Sequence, residues 1–149
     1  MTVKEKLYQY CISVVSDRIT RIKSEMELIQ ASANEETKSS AGDKYETGRA
    51  MAQREVEMSR TQLAEAEKML DTLSQLKPGS QPDRVHIGSL VYTTQGIFFI
   101  AASIGQVELD GEKYFVVSAE SPIGKLLLNT KKGDTFEWRE KRNQVMNIQ

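Results

Sequence analysis

Apolar residues fall along the first half of the chain at alternating steps of four and three: Tyr8, Ile12, Val15, Ile19, Ile22, Met26, Ile29 and Ala33. That rhythm is the heptad repeat of a helix with one narrow buried stripe. A second seam, Ala52, Val56, Ser59, Leu63, Ala66, Leu70 and Leu73, keeps the same step. No proline interrupts Met1 to Leu76. Between the seams, Ser32 to Gly42 is rich in Ala, Ser, Asn, Thr and Gly and has no apolar period, which predicts a turn. Two heptad helices joined by a polar loop fold back as an antiparallel pair. Each side has room for about 28 helical residues, or roughly 40 Å. The faces off the seam carry Glu25, Glu27, Glu55, Glu57, Arg60, Glu65, Glu67 and Lys68, so they should meet solvent or a partner.

Lys77-Pro78-Gly79-Ser80-Gln81-Pro82 stops the second helix, and residues 77–84 read as a linker. Beyond it the composition changes to strand formers. Val85–Thr93, Ile97–Ser103, Gln106–Leu109 and Tyr114–Ser118 are rich in β-branched and aromatic residues, punctuated by Gln95-Gly96, Gly105 and Asp110-Gly111. Asp110-Gly111 is the sharpest hairpin signal. Ser121-Pro122 opens a short helix through Leu128, with Ser as N-cap and Pro at the first helical position. Lys131-Lys132-Gly133-Asp134 turns the chain into strands over Thr135–Trp138 and Gln144–Ile148. The expected class is α+β: an antiparallel coiled-coil hairpin over residues 1–76, then over residues 85–149 a sheet of about five or six strands with one short helix.

Charge and composition narrow the chemistry. The formal net charge is -1, so no global basic excess exists to neutralise phosphates. A nucleic-acid role would run through a protein partner or a local patch. No apolar stretch approaches the roughly 20 residues that span a bilayer, so no membrane role is expected. Lys4, Glu5 and Lys6, then Asp17 and Arg18, leave no secretory apolar core at the start. The single cysteine, Cys11, forms no internal disulfide and fits a reducing, cytoplasmic setting. The one histidine, His86, would need partners for a Ser-His-Asp triad that no motif announces.

Three segments carry a family resemblance. Gly88-Ser89-Leu90-Val91 opens the second half. Ser121-Pro122-Ile123-Gly124-Lys125-Leu126-Leu127-Leu128, followed by Lys132-Gly133-Asp134, is the most specific. Gly42-Asp43-Lys44-Tyr45-Glu46 stands at the start of the second hairpin helix. In this order, hairpin first and β-rich part second, they resemble the Gre transcript-cleavage factors, elongation factors of bacterial RNA polymerase. The resemblance implies an FKBP-like fold for residues 85–149. It implies that Ser121, Pro122 and Ile123 contact the rim of the polymerase's secondary channel while the hairpin enters that channel. At the tip, Asp43 and Glu46 would help hold a second Mg²⁺ shared with the polymerase active site and orient the attacking water. The polymerase, not the factor, would cleave the backtracked RNA. The chain would then be no enzyme itself, would act as a monomer, and would meet nascent RNA only through the polymerase. Mg²⁺ takes oxygen ligands and often only one or two protein carboxylates, and two ions can flank a phosphodiester. Carboxylates three residues apart on a helix can share a face.

Other readings of the same residues stay open. Asp43 and Glu46 also form an N-capping pair favoured by the helix dipole. Glu35 and Glu36 in the expected loop are solvated charges or alternative tip acids. After Glu46 the chain reads Thr47-Gly48-Arg49-Ala50 where the family usually has Asn, Ala, Glu, Tyr. Gly48 costs about 1 kcal/mol of helix propensity relative to Ala, and Arg49 reverses a charge. A non-cleaving or inhibitory channel binder is therefore an alternative. Phe98, Phe99, Phe115 and Trp138 read as core or half-buried sheet residues, Lys131 and Lys132 as a solvated turn, and Cys11 as buried. Peptidyl-prolyl isomerase activity would rest on fold alone. A structural adaptor whose hairpin pairs with another hairpin, with Ser59 as the polar break in its seam, is the remaining class.

Overall fold

The two seams become the buried stripes of two long helices. In the computed structural model, α1 runs Val3–Ser39 and α2 runs Asp43–Ser74. The structure describes the backbone of residues 1–39, 43–77 and 82–149, and side chains outside residues 36–46 and 78–81. A capping box opens α1. Thr2 Oγ1 accepts from the Glu5 N–H at 3.1 Å, and the Glu5 carboxylate accepts from the Thr2 N–H at 2.9 Å. The helix does not end in a loop at Ser32 as the lost apolar period suggested. It continues to Ser39, because residues 32–39 hold Ala, Glu and Lys and no Gly or Pro. Its 37 residues make about 55 Å of helix at ~1.5 Å per residue.

The chain divides into two compact units, Val15–Leu70 on the one hand and Met1–Val14 with Asp71–Gln149 on the other. Within Val15–Leu70 the helices lie antiparallel, with Arg18, Arg21 and Glu25 opposite Gln62, Glu65 and Met69. Farther along, Gln30 and Asn34 stand opposite Arg49, Gln53 and Glu57. Val15, Ile22, Val56, Ser59 and Ala66 are buried along the seam. Next to the seam, Arg18 Nη1 donates to Met69 Sδ across the pair at 3.9 Å.

The other unit holds a six-stranded sheet. Its strands are β1 Leu90–Thr93, β2 Ile97–Ile100, β3 Gly105–Leu109, β4 Glu112–Val117, β5 Thr135–Trp138 and β6 Lys141–Ile148. Their order is β3-β4-β2-β1-β6-β5. The β2–β4 pair is parallel and the remaining pairs are antiparallel. One short helix, α3 (Pro122–Leu127), seals one face. Its Ile123 and Leu127 cluster with Val85, Val91, Phe98, Ile100, Phe136 and Val145. Alternate residues Leu90, Phe99, Tyr114 and Val116 are buried on the opposite face, as the two-residue strand period requires. Leu7, Cys11 and Leu73, from the helix ends in this unit, are fully buried. Lys6 Nζ meets Asp110 Oδ2 at 2.9 Å, an exposed ion pair between the start of α1 and the β3–β4 turn.

Several strand limits differ from expectation, β2 ending at Ile100 rather than Ser103 among them, and two of the differences follow from specific pairings. Val85 is not in β1. Its N–H donates to Thr130 O at 2.9 Å and its carbonyl accepts from Asn129 N at 2.8 Å, so the segment pairs with the exit of α3. Strand β6 begins at Lys141 rather than Gln144, because Trp138 pairs with Lys141 across a two-residue turn. Arg139 (φ 53°) and Glu140 (φ 65°) occupy that turn, as Asp110 (φ 51°) and Gly111 (φ 81°) do between Leu109 and Glu112. Both turns need positive φ at two successive residues, the primed type that matches strand twist.

Candidate functional site

The tip acids are placed by backbone only. Asp43 is the first residue of α2, and Glu46 follows in its first turn. Their side chains lie outside the described residues, as does that of Glu36. Glu35 is exposed and sits on α1 rather than in a loop. Beyond the first turn, Gly48 is half-buried and Arg49 exposed.

The Ser121-Pro122-Ile123 segment is built for its own junction first. Ser121 Oγ accepts from Gly124 N at 3.0 Å and donates to Ser118 O at 2.7 Å. Pro122 follows at the first helical position, where its missing N–H leaves nothing unpaired. Gly124 lies so close to the incoming chain that a Cβ there would run into the Ser118 carbonyl. The Ser-Pro-x-Gly pattern is therefore what this tight entry into α3 demands. Ile123 is only 5% exposed and belongs to the core. What the segment shows to solvent is Pro122, Lys125 and Leu126.

The remaining titratable groups explain themselves locally. Burial pushes the Cys11 thiol up to about 12. Burial also lowers the Lys4 ammonium and raises the Tyr92 and Tyr114 phenols, the latter two helped by the Glu112 charge. His86 is exposed, with Nδ1 2.8 Å from the Ile87 carbonyl. Among the described residues no three His, Cys, Asp or Glu side chains gather as a metal site. No described helix is long and apolar enough to cross a membrane. Phe98 and Phe99 are buried and Phe115 and Trp138 half-buried, as expected.

One feature escaped the sequence reading. Leu28, Met51 and Met58 are 70%, 58% and 60% exposed on the hairpin. Leu28 and Met51 border one groove between the helices together with Gly48 and Glu55. These residues lie off the seam, outside the buried positions that the heptad step marks. The seven-residue step from Met51 to Met58 is the signal that could have found them.

No protein-family model matches the chain, and no curated protein matches it. Among solved structures, that of the transcription factor Gfh1 aligns over 93% of this chain and 92% of its own, at 20% identity and a TM-score of 0.38. GreA factor homolog 1 (Gfh1) of Thermus thermophilus aligns over 93% of this chain and 94% of its own, at 18% identity and a TM-score of 0.34.

Proposed function

We propose that this chain is a Gre-like transcription factor that binds bacterial RNA polymerase, its hairpin entering the secondary channel. The observation behind this is a hairpin of two long helices with only a narrow seam to bury, whose second helix starts at Asp43 with Glu46 in the same turn. Helices gain most of their stability from packing, so length beyond what a seam needs points to a role for the exposed surface. The sequence resemblance at Gly42–Glu46 and at Ser121–Gly124 supports the same reading. In the complex, Asp43 and Glu46 would hold one side of a magnesium ion whose other ligands come from the polymerase. When bound, that ion supplies charge stabilisation at the attacking and leaving oxygens of the RNA phosphodiester. The two residues' own contribution is to hold acceptor oxygens at the tip and to position water there. Pro122 with the neighbouring Lys125 and Leu126 offers the contact surface on α3, while Ile123 supports it from the core.

The test is RNA cleavage by backtracked elongation complexes with wild type, Asp43→Ala or Glu46→Ala. Faster cleavage with wild type and none of that gain with folded variants supports the reading. A second reading, a channel binder that does not stimulate cleavage, is favoured by Gly48 and Arg49 just behind the acids. It predicts polymerase binding with cleavage unchanged or slowed.

A further inference from the structure

We propose that the outer part of the hairpin, residues 30–35 of α1 with residues 47–55 of α2, opens and closes as a unit of its own while the inner part stays folded. The residues that carry this belong to Val15–Leu70 alone, and the inference does not rest on the proposed function. Along the inner part, Val15, Ile22, Val56, Ser59 and Ala66 are buried. Beyond Val56, the described residues of α2 hold no buried side chain as far as Thr47, and α1 holds none over residues 23–35. Ile29, half-buried, is the last large seam residue on α1. The seam positions past it, Ala33, Gly48 and Ala52, are small and only half-buried. Ala33 and Ala52 border two clefts between the helices, of about 520 and 390 Å³. A pair of alanines therefore closes the seam where larger side chains would fill it, and the large apolar groups nearby, Leu28 and Met51, are exposed.

Helices in proteins take most of their stability from packing, and segments with few buried apolar groups open at a lower free energy than the rest of the fold. Intrinsic propensity does not make up the difference here. Ser32, Asn34, Thr47 and Gly48 are all weaker helix formers than alanine. Asn34, Glu35, Thr47 and Arg49 do make polar contacts, but on exposed side chains, where such contacts contribute little. Each outer segment faces the other across the two clefts, so loss of one strips the other of its packing and the two open together. The buried positions from Val56 inward keep the inner part closed. The hairpin is thus built to change shape at its end without unfolding, and a partner that meets this end selects among its shapes.

Native-state amide hydrogen exchange of the full chain, residue by residue, tests it. Amides of residues 30–35 and 47–55 should have protection that is measurable but about 100-fold below that of residues 15–22 and 59–66. Ala52→Gly should lower protection about fivefold, the helix-propensity loss of glycine relative to alanine. That loss should appear on residues 30–35 of α1 as well as on α2, with the sheet amides unchanged. Outer amides protected to within threefold of the inner ones overturn the proposal. Outer amides with no protection at all overturn it too, since the closed form would then not be populated. An Ala52→Gly effect confined to α2 means that the helices fray separately, and it overturns the shared unit.

Discussion

Cys11 shows how burial alone sets a residue's behaviour. Its side chain has no solvent contact, and its thiol is pushed up to about 12. A thiol reagent should label the native protein far more slowly than the urea-unfolded chain. The same shift makes stability depend on pH. Between the ordinary thiol value of 9.0 and about 12 the folded chain keeps a proton that the unfolded chain has lost. Stability from this group is thus fully present below pH 9 and falls as pH rises through that window. Tyr92 and Tyr114 act in the same direction. Lys4 acts oppositely, because its lowered value lets the unfolded chain bind the extra proton up to 10.5. Urea melts at a series of alkaline pH values should show a net fall that Cys11→Ala makes shallower. Gly124 is the second residue-scale case. Gly124→Ala should destabilise by about 2–4 kcal/mol, since backbone rather than a yielding side chain opposes the new methyl. Ser121→Ala should cost about 1 kcal/mol, the loss of an N-cap. Gly124→Ala exceeding Ser121→Ala is the order that melting curves should return.

At the scale of elements, the two hairpin turns solve one backbone problem with different residues. Asp110-Gly111 suits positive φ, whereas Arg139-Glu140 carries two side chains that resist it. Replacing Arg139-Glu140 by Asn-Gly should stabilise the protein by about 1–2 kcal/mol, read as a higher urea midpoint at unchanged slope. The loss of the Arg139 guanidinium, 5.4 Å above the Trp138 ring, offsets part of that gain. This contrast also shows what was legible. The Asp110-Gly111 turn is visible because its residues are chosen for the conformation. The Arg139-Glu140 turn is invisible because they are not, and β6 was therefore placed three residues late. Both seams were legible, since burial follows their heptad step. The end of α1 was not, because a helical stretch without an apolar face has no period to detect. The Thr2–Glu5 capping box lies ahead of the first seam residue, where no apolar period marks the helix start.

For the whole molecule, the class and the order of parts follow from the change of apolar period at the Lys77–Pro82 stretch. The candidate site was legible only as residue identity. Asp43 and Glu46 could be named as candidates, and the role proposed for them adds ligands from outside the chain. The Ser121–Gly124 motif, the most specific in the sequence, proves to be required by the local fold. Its presence therefore speaks more for architecture than for contact, and Ile123 supports α3 from within. The exposed flank around Leu28 was not legible, because the burial argument follows only the seams.

The central claim is that the hairpin tip works inside RNA polymerase, and crosslinking from the tip tests it most directly. Thr47 is exposed next to Glu46, and Cys11, the one native cysteine, is fully buried. A photo-crosslinker attached to Thr47→Cys therefore reports from the tip alone when the protein is mixed with bacterial core polymerase. The account predicts crosslinks to the polymerase segments that line the secondary channel beside its active centre. Crosslinks confined to the outer surface, or none under conditions where the protein is folded, would contradict it.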